Sequence, residues 1–352
     1  MTTHPSISIA GRRIALDAPP YVIAELSANH NGKLETALRI IDAAKAAGAS
    51  AVKLQSYRPD TITLDSTAEP FRIHGGLWDG RTLYELYEQA HMPWEWHAPL
   101  FEHARHSGIT IFSSPFDTTA VDLLESLGAP AYKIASFEAV DLPLIRCVAA
   151  TGKPMIISTG MADADEIGEA VEAARAGGCK ELALLHCVSG YPAPAADYNL
   201  RTILDMMKRF GVVTGLSDHT LDNATAVAAV ALGATLIEKH FTLDRGGGGP
   251  DDSFSLEPPQ FEALCRDSRT AWEALGRVDY GRKSSEQGNA QFRRSLYFVK
   301  ALKAGDTVSA DAVRSVRPGY GLAPKFIDQV VGRVLARDVE HATPVSWDLF
   351  AG

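Results

Sequence analysis

Two histidines, His219 and His240, each stand at the carboxyl end of a short apolar run, Val212-Val213 and Ala234-Thr235-Leu236-Ile237. Runs of this kind form buried parallel strands. The alanine-rich stretch between them, 223–232, has helical composition and stops at Gly233, as helices commonly do. A strand–helix–strand unit brings both strand ends to one face. The two imidazoles can therefore converge on one divalent cation, with Asp218 and Glu238 as nearby carboxylates.

A second constellation points to an anion. Lys53, in Ala-Val-Lys-Leu-Gln, and Lys133, in Ala-Tyr-Lys-Ile-Ala, each interrupt an apolar strand-like run. An ammonium buried there costs several kcal/mol unless an anion or carboxylate pairs with it. Ser113, Ser136, Ser158 and Ser217 at neighbouring strand ends complete a pocket suited to phosphate and carboxylate groups. Gln55, Ser189 and Tyr191 fall at strand ends in the same rhythm. Pairing of the two lysines with Glu25 and Glu138 as internal salt bridges is compatible with such a pocket. Lys133 could instead form a Schiff base with a carbonyl substrate, but the histidine pair then has no role. A nucleophilic Cys187 beside His186 has no evident activating partner.

These residues need elements to hold them. Strand patterns occur at 21–25, 51–55, 109–113, 131–134, 155–158, 182–186, 213–217 and 235–240, most of them followed by a helical pattern such as 34–47 or 163–176. Eight strands alternating with helices predict a parallel (β/α)8 TIM barrel, with an open doubly wound sheet as the other option. No Gly-x-Gly-x-x-Gly follows a strand, which argues against a dinucleotide fold. The expected organisation is an N-terminal hairpin over 1–18, a catalytic barrel over 19–275, a polar linker over 276–291 and a small β-rich module over 292–352. One connection is too long: about fifty residues separate Gln55 from the next strand, and only 94–106 reads as the expected helix. The excess, 57–93, follows a strand and so lies on the active-site face of a barrel, where it is expected to shape substrate choice.

The formal net charge of −9 argues against a nucleic-acid partner, which asks for a basic face. No apolar run reaches the roughly 18 residues of a membrane span, and no basic and apolar signal region opens the chain, so no membrane partner and a cytoplasmic location are expected. The four cysteines lack metal-finger spacing and fit free thiols in a reducing compartment.

Taken in order, the chain resembles the sialic acid synthase family, which condenses phosphoenolpyruvate with an amino sugar. The resemblance rests on Ile23-Ala24-Glu25, Asn29-His30-Asn31-Gly32, Ala51-Val52-Lys53-Leu54-Gln55, Ser113-Ser114-Pro115-Phe116 and Pro130-Ala131-Tyr132-Lys133-Ile134-Ala135-Ser136. It continues through Ser158-Thr159-Gly160-Met161, Leu185-His186-Cys187, Tyr191-Pro192, Gly215-Leu216-Ser217-Asp218-His219-Thr220, Glu238-Lys239-His240-Phe241, Gly249-Pro250-Asp251 and Arg317-Pro318-Gly319. The last sixty residues look like that family's antifreeze-like, or SAF, module. Gly75-Gly76-Leu77-Trp78-Asp79-Gly80-Arg81 and Cys187-Val188-Ser189-Gly190-Tyr191 look like the branch acting on 2,4-diacetamido-2,4,6-trideoxy-L-altrose to give pseudaminic acid. Ser189 stands where N-acetylneuraminate synthases usually carry asparagine. N-acetylneuraminate or legionaminate synthesis, and a silent sugar-binding barrel, are the alternatives. Apolar walls such as Leu77 and Trp78 would suit the deoxy, diacetamido sugar.

The resemblance implies a division of labour. His219 and His240 hold Mn2+, Mg2+ or Co2+, which polarises the aldehyde. Lys53, Lys133, Ser136, Ser158 and Ser217 hold phosphate and carboxylate. Glu25 orients the sugar or moves a proton, and Glu138 orients water or ligands around the metal. It further implies a domain-swapped homodimer in which Arg317 reaches the partner's sugar.

Overall fold

The computed structural model describes residues 4–351. The chain divides into two compact units, Met1–Gly276 and Arg277–Gly352.

The first unit opens with an antiparallel hairpin, β1 (Ile7–Ile9) and β2 (Arg12–Ile14), in the register Ile7 to Ile14. Eight parallel strands follow: β3 (Tyr21–Glu25), β4 (Ala51–Ser56), β5 (Thr110–Pro115), β6 (Tyr132–Ile134), β7 (Met155–Ser158), β8 (Leu182–Cys187), β9 (Val213–Asp218) and β10 (Leu236–His240). They close in sequence order, β10 pairing β3, into a barrel. The eight strand segments read from the sequence are these eight. The helix between the histidine-bearing strands is Ala224–Ala231, and Gly233, at φ +95°, makes the left-handed turn into β10.

Alternation along each strand sorts the side chains into two layers. Ile23, Ala51, Phe112, Ala131, Ile156, Ala183, Leu185, Val213 and Leu236 fill the barrel interior, joined by Ile7, Ile9 and Ile14 of the hairpin, which plugs the end where the strands begin. The outward set, including Val22, Val52, Ile111, Ile134, Ile157, Leu216 and Ile237, packs against the helices. Each fully buried aliphatic side chain contributes about 1.5–3 kcal/mol. With the end where the strands begin plugged by the hairpin, the charged inward residues Glu25, Lys53, Lys133 and Glu238 lie toward the carboxyl ends of the strands.

The 57–93 connection contains more structure than its sequence suggested. It holds the helices Pro59–Ile62 and Leu83–Ala90, the latter started by a capping box in which Thr82 and Glu85 exchange hydrogen bonds. Among the described residues no helix is long and apolar enough to cross a membrane.

The second unit pairs β11 (Ser295–Phe298) with β12 (Val313–Val316), antiparallel, and adds short bridges such as Thr307 to Val334 and Leu335 to Phe350. Its core is Leu296, Phe298, Val308, Val313, Val330, Leu335, Val339 and Val345. The stretch 276–291, expected to be a linker, holds most of the 3-10 segment Ser284–Phe292, which buries no residue, and from Arg277 on it belongs to this unit.

Candidate functional site

At the carboxyl end of the barrel the inward positions become charged. Glu25 of β3, Lys53 of β4, Lys133 of β6 and Glu238 of β10 are all buried there. Lys53 Nζ lies 2.7 Å from Glu25 Oε2, 3.6 Å from Glu238 Oε1 and 3.2 Å from Ser114 Oγ. The Glu25 contact is the closest of the three. Among the described residues Lys133 Nζ donates only to the carbonyl of Ile134, 3.1 Å away, and its nearest carboxylate, Glu238 Oε1, is 4.0 Å distant. The expected pairing of Lys133 with Glu138 is therefore replaced by a loose one with Glu238. The reason is geometric: Glu238 is an inward residue of the strand wall, whereas Glu138 lies beyond β6 in the 3-10 turn Ser136–Glu138.

An ammonium has three donors, and Lys133 uses one of them. Ser158 Oγ is buried without a partner, and Ser217 Oγ reaches only Glu238 Oε1 at 3.5 Å. Burial lowers the Lys133 pKa while Glu238 opposes the shift. Burial raises the Glu25 carboxyl to about 7 against the pull of Lys53. The interior thus leaves donors of Lys133 and Ser158 free to meet an anion, although Glu238 Oε2 is unpaired there as well.

The serines divide by strand alternation. Ser114 points inward to Lys53, but Ser113, the residue expected in the pocket, points outward. Its hydroxyl meets Ser56 Oγ at 2.7 Å, and Ser56 meets His97 Nε2 at 2.7 Å, between the strands and the helix His97–Ser107. Ser136 and Ser189 crowd around Gly160. Ser136 Oγ accepts from the Gly160 N–H at 3.2 Å, and a Cβ on Gly160 would lie 2.3 Å from Ser189 Oγ, so only glycine permits this approach.

Both histidines reach the same place. Their ring centroids are 5.5 Å apart, and the Tyr191 ring lies 4.3 Å from that of His219. Both are buried, 5% and 8% accessible. His219 Nδ1 donates to the Val188 carbonyl at 2.8 Å, leaving Nε2 as the lone-pair nitrogen of the neutral ring. Burial opposes a charge on His219, but Cys187, with Sγ 4.0 Å away, and the Val188 carbonyl outweigh it and raise the pKa. Burial, reinforced by the charge of His219, holds His240 neutral; its Nδ1 has no hydrogen-bond partner and lies 3.9 Å from Asp251 Oδ2. Two converging imidazoles, one with an orphaned nitrogen, fit a cation whose remaining positions are filled by water and substrate. Among the described residues no group of three or more His, Cys, Asp or Glu is arranged to hold a metal on its own.

Neighbours that look chemical in the sequence are structural here. Asp218 and Lys239 face outward and pair at 2.7 Å, with Lys239 also donating to Thr220 Oγ1 at 3.1 Å. His186 faces outward onto the Tyr198 carbonyl, and the Tyr198 hydroxyl accepts from the His219 N–H at 2.6 Å, which steadies the histidine from behind.

Above the charged floor opens a cavity of about 630 Å3 lined by Gln55, Glu138, Ser189, Tyr191 and His240 together with Ser27, Asp251, Trp78 and apolar residues of the 57–93 connection. Gln55 Nε2 donates to Glu25 Oε1 at 2.9 Å and to Ser27 Oγ at 3.0 Å, and Ser27 donates to Asp251. Burial pushes the Glu138 carboxyl up to about 7, and its Oε2 has no partner. Asp251 is a site residue that the sequence reading left unassigned; its only signal was the Gly249-Pro250-Asp251 motif. Glu238 was noted there as a neighbour of the histidines and serves the lysines instead. Trp78 lines the cavity as expected, whereas Leu77 does not line it and is 53% exposed. Arg317 belongs to the second unit, where its side chain is exposed.

A family model described as the NeuB family matches residues 40–280, and one for the SAF domain matches residues 293–351. The chain is 46% identical over 326 residues to the pseudaminic acid synthase of Campylobacter jejuni, covering 92% of this chain and 94% of the relative. It is 42% identical to the pseudaminic acid synthase of Helicobacter pylori over 94% of this chain and 97% of the relative. The solved structure of N-acetylneuraminic acid synthetase from Leptospira borgpetersenii in complex with citrate superposes with a TM-score of 0.73 at 31% identity, covering 82% of this chain and 96% of that one.

Proposed function

Because the chain belongs to the NeuB family of sialic acid synthases, we propose that it condenses phosphoenolpyruvate with 2,4-diacetamido-2,4,6-trideoxy-L-altrose, giving pseudaminic acid and phosphate. The observation that carries the reading is the pair of buried lysines, of which Lys133 donates only one hydrogen bond among the described residues, beneath a cavity with an apolar side. The identity to proteins named pseudaminic acid synthase favours this sugar over its relatives.

Lys53, Lys133, Ser158 and Ser217 bind the phosphate and carboxylate, the guest replacing the loose contacts to Glu238. Ser136 and Ser189, gathered at Gly160, extend that site toward the mouth. His219 and His240 would hold a divalent cation, Mn2+, Mg2+ or Co2+, which when bound supplies electrophilic polarisation of the sugar aldehyde. The bond forms between C3 of phosphoenolpyruvate and the aldehyde carbon, whose oxygen takes up a proton. Glu25, with a carboxyl titrating at about 7 and Gln55 fixing its other oxygen, is placed to give that proton or orient the sugar. Water adds to the cationic C2 and loses a proton, for which Glu138, unpartnered and titrating at about 7, is the acceptor. The C2–O bond then breaks as the new C2 hydroxyl becomes the ketone and passes its proton to the departing phosphate, which leaves with the bridging oxygen. In this reading Arg317 serves the barrel of a partner subunit in a domain-swapped homodimer.

The experiment is phosphate release from phosphoenolpyruvate carrying 18O at the bridging position, with each candidate sugar, with and without Mn2+. Labelled phosphate formed with the diacetamido sugar and poorly with N-acetylmannosamine supports the reading. Comparable specificity constants return the chain to neuraminate synthesis, and no release with any sugar leaves a sugar-binding barrel. Borohydride trapping of substrate on Lys133 would replace this scheme with a Schiff base.

A further inference from the structure

We infer that the 57–93 connection is the sugar-specificity element, with Ile73 and Leu83 seating the end of the sugar that bears the methyl and the outer acetamido group. The inference rests on the sugar assigned above and names the side chains that read it.

The cavity is divided by chemistry. The strand-end and loop residues bring polar groups, among them Gln55, Glu138, Ser189 and Asp251. The 57–93 connection brings Tyr57, Ile62, Ile73, Trp78, Leu83, Leu86, Tyr87 and Ala90, apolar but for the two phenol hydroxyls and the indole N–H. That segment carries nine acidic and basic residues, Arg58, Asp60, Asp65, Glu69, Arg72, Asp79, Arg81, Glu85 and Glu88, and none of them lines the cavity. A passive surface excursion would not keep every charge off one face, so the apolar wall is a feature of the site.

The wall is also rigid. Ile73 sits in a tight hairpin: its N–H donates to the Arg81 carbonyl at 2.8 Å, its carbonyl accepts from Gly80 at 3.0 Å, and Arg72 bridges Thr82. Leu83 is the first residue of the capped helix Leu83–Ala90. Trp78 Nε1 donates to the Pro250 carbonyl at 3.4 Å, fastening the hairpin tip to the loop that carries Asp251. Side chains on such supports hold their positions well enough to discriminate between guests.

Orientation follows from the floor. The reacting aldehyde belongs beside His240 and the lysines, so the far end of an open-chain sugar extends toward the apolar wall. A hydroxymethyl group set against Ile73 and Leu83 would exchange water for hydrocarbon, whereas a methyl group and an acetamido methyl match it.

The test compares kcat/KM for the diacetamido trideoxy sugar and for N-acetylmannosamine in the wild type, Ile73→Asn, Leu83→Gln and the conservative Ile73→Val and Leu83→Met. Phosphoenolpyruvate binding, measured by calorimetry, checks that each variant retains the floor. The polar variants are expected to shrink the preference for the deoxy sugar about tenfold or more, with phosphoenolpyruvate affinity unchanged and the conservative variants near wild type. An unchanged ratio in both polar variants, in a wild type that prefers the deoxy sugar, overturns the inference while leaving the function intact. A wild type with no activity on the deoxy sugar overturns the function first and the inference with it. Should Ile73→Asn fail to fold, Ile73→Thr makes the same measurement with a smaller change.

Discussion

Lys53 Nζ sits 2.7 Å from Glu25 Oε2 inside the barrel, and the two are 3% and 1% accessible. The lysine is therefore both a ligand group for an anion and the only close cation for Glu25 among the described residues, with Glu238 sharing it at 3.6 Å. Removing it leaves two buried carboxylates facing each other.

Lys53→Met is accordingly expected to destabilise the free protein by about 3–5 kcal/mol near pH 8, the scale for breaking a buried ion pair. Phosphoenolpyruvate binding should weaken as well, by roughly 1.5–3 kcal/mol for one lost charged hydrogen bond. Adding Glu25→Gln should recover part of the stability and none of the binding. Chemical denaturation and calorimetry of the two variants separate these effects; wild-type stability in Lys53→Met would mean the pair is not the neutralising contact described.

His219→Ala and His240→Ala are expected to abolish Mn2+-stimulated turnover and Mn2+ binding while leaving the barrel folded. His219 forfeits one hydrogen bond to Val188, about 1 kcal/mol, and the orphaned Nδ1 of His240 forfeits none. Circular dichroism and Mn2+ titration are the measurements. Retained Mn2+ binding in either variant would move the cation elsewhere.

Glu138 gives a pH prediction. Burial raises its carboxyl from 4.5 to about 7. A carboxyl with a raised folded pKa favours the fold most when protonated in both states, below about 4.5, and loses that advantage as pH climbs through the folded value. Glu138→Gln should thus equal wild type at pH 4, gain on it between pH 4.5 and 7, and stay ahead by on the order of 1–3 kcal/mol above that. Urea midpoints at pH 4, 6 and 8 test the sign. A difference that does not change with pH would show that Glu138 titrates normally. The limb of the pH–rate profile near 7 should change in the same variant.

Mixing an Arg317→Ala chain with a His219→Ala chain tests the proposed swap. If the second unit serves a partner's barrel, each mixed dimer has one intact site and activity reappears. No recovery, with subunit exchange demonstrated by mass, would show that Arg317 acts within its own chain or not at all.

The architecture was legible because parallel barrel strands are buried on both sides and leave uninterrupted apolar runs, each ending where polar residues begin. The same rhythm exposed Lys53, Lys133, His219 and His240, since a charge or imidazole inside such a run is conspicuous. What the sequence did not contain was direction. Ser113 and Ser114 are adjacent and chemically identical, yet one faces His97's layer through Ser56 and the other faces Lys53. A one-residue difference in phase reverses every side chain of a strand, and that phase is decided only when eight strands close on one another. Partner choice was settled in the same way: closure brings Glu238 across the barrel to Lys133, a contact between residues 105 positions apart in the chain. The 57–93 segment shows the remaining gap. Its capping box was written in Thr82 and Glu85, but which of its faces lines the cavity depends on the hairpin and on the Trp78 bond to Pro250, 172 residues away.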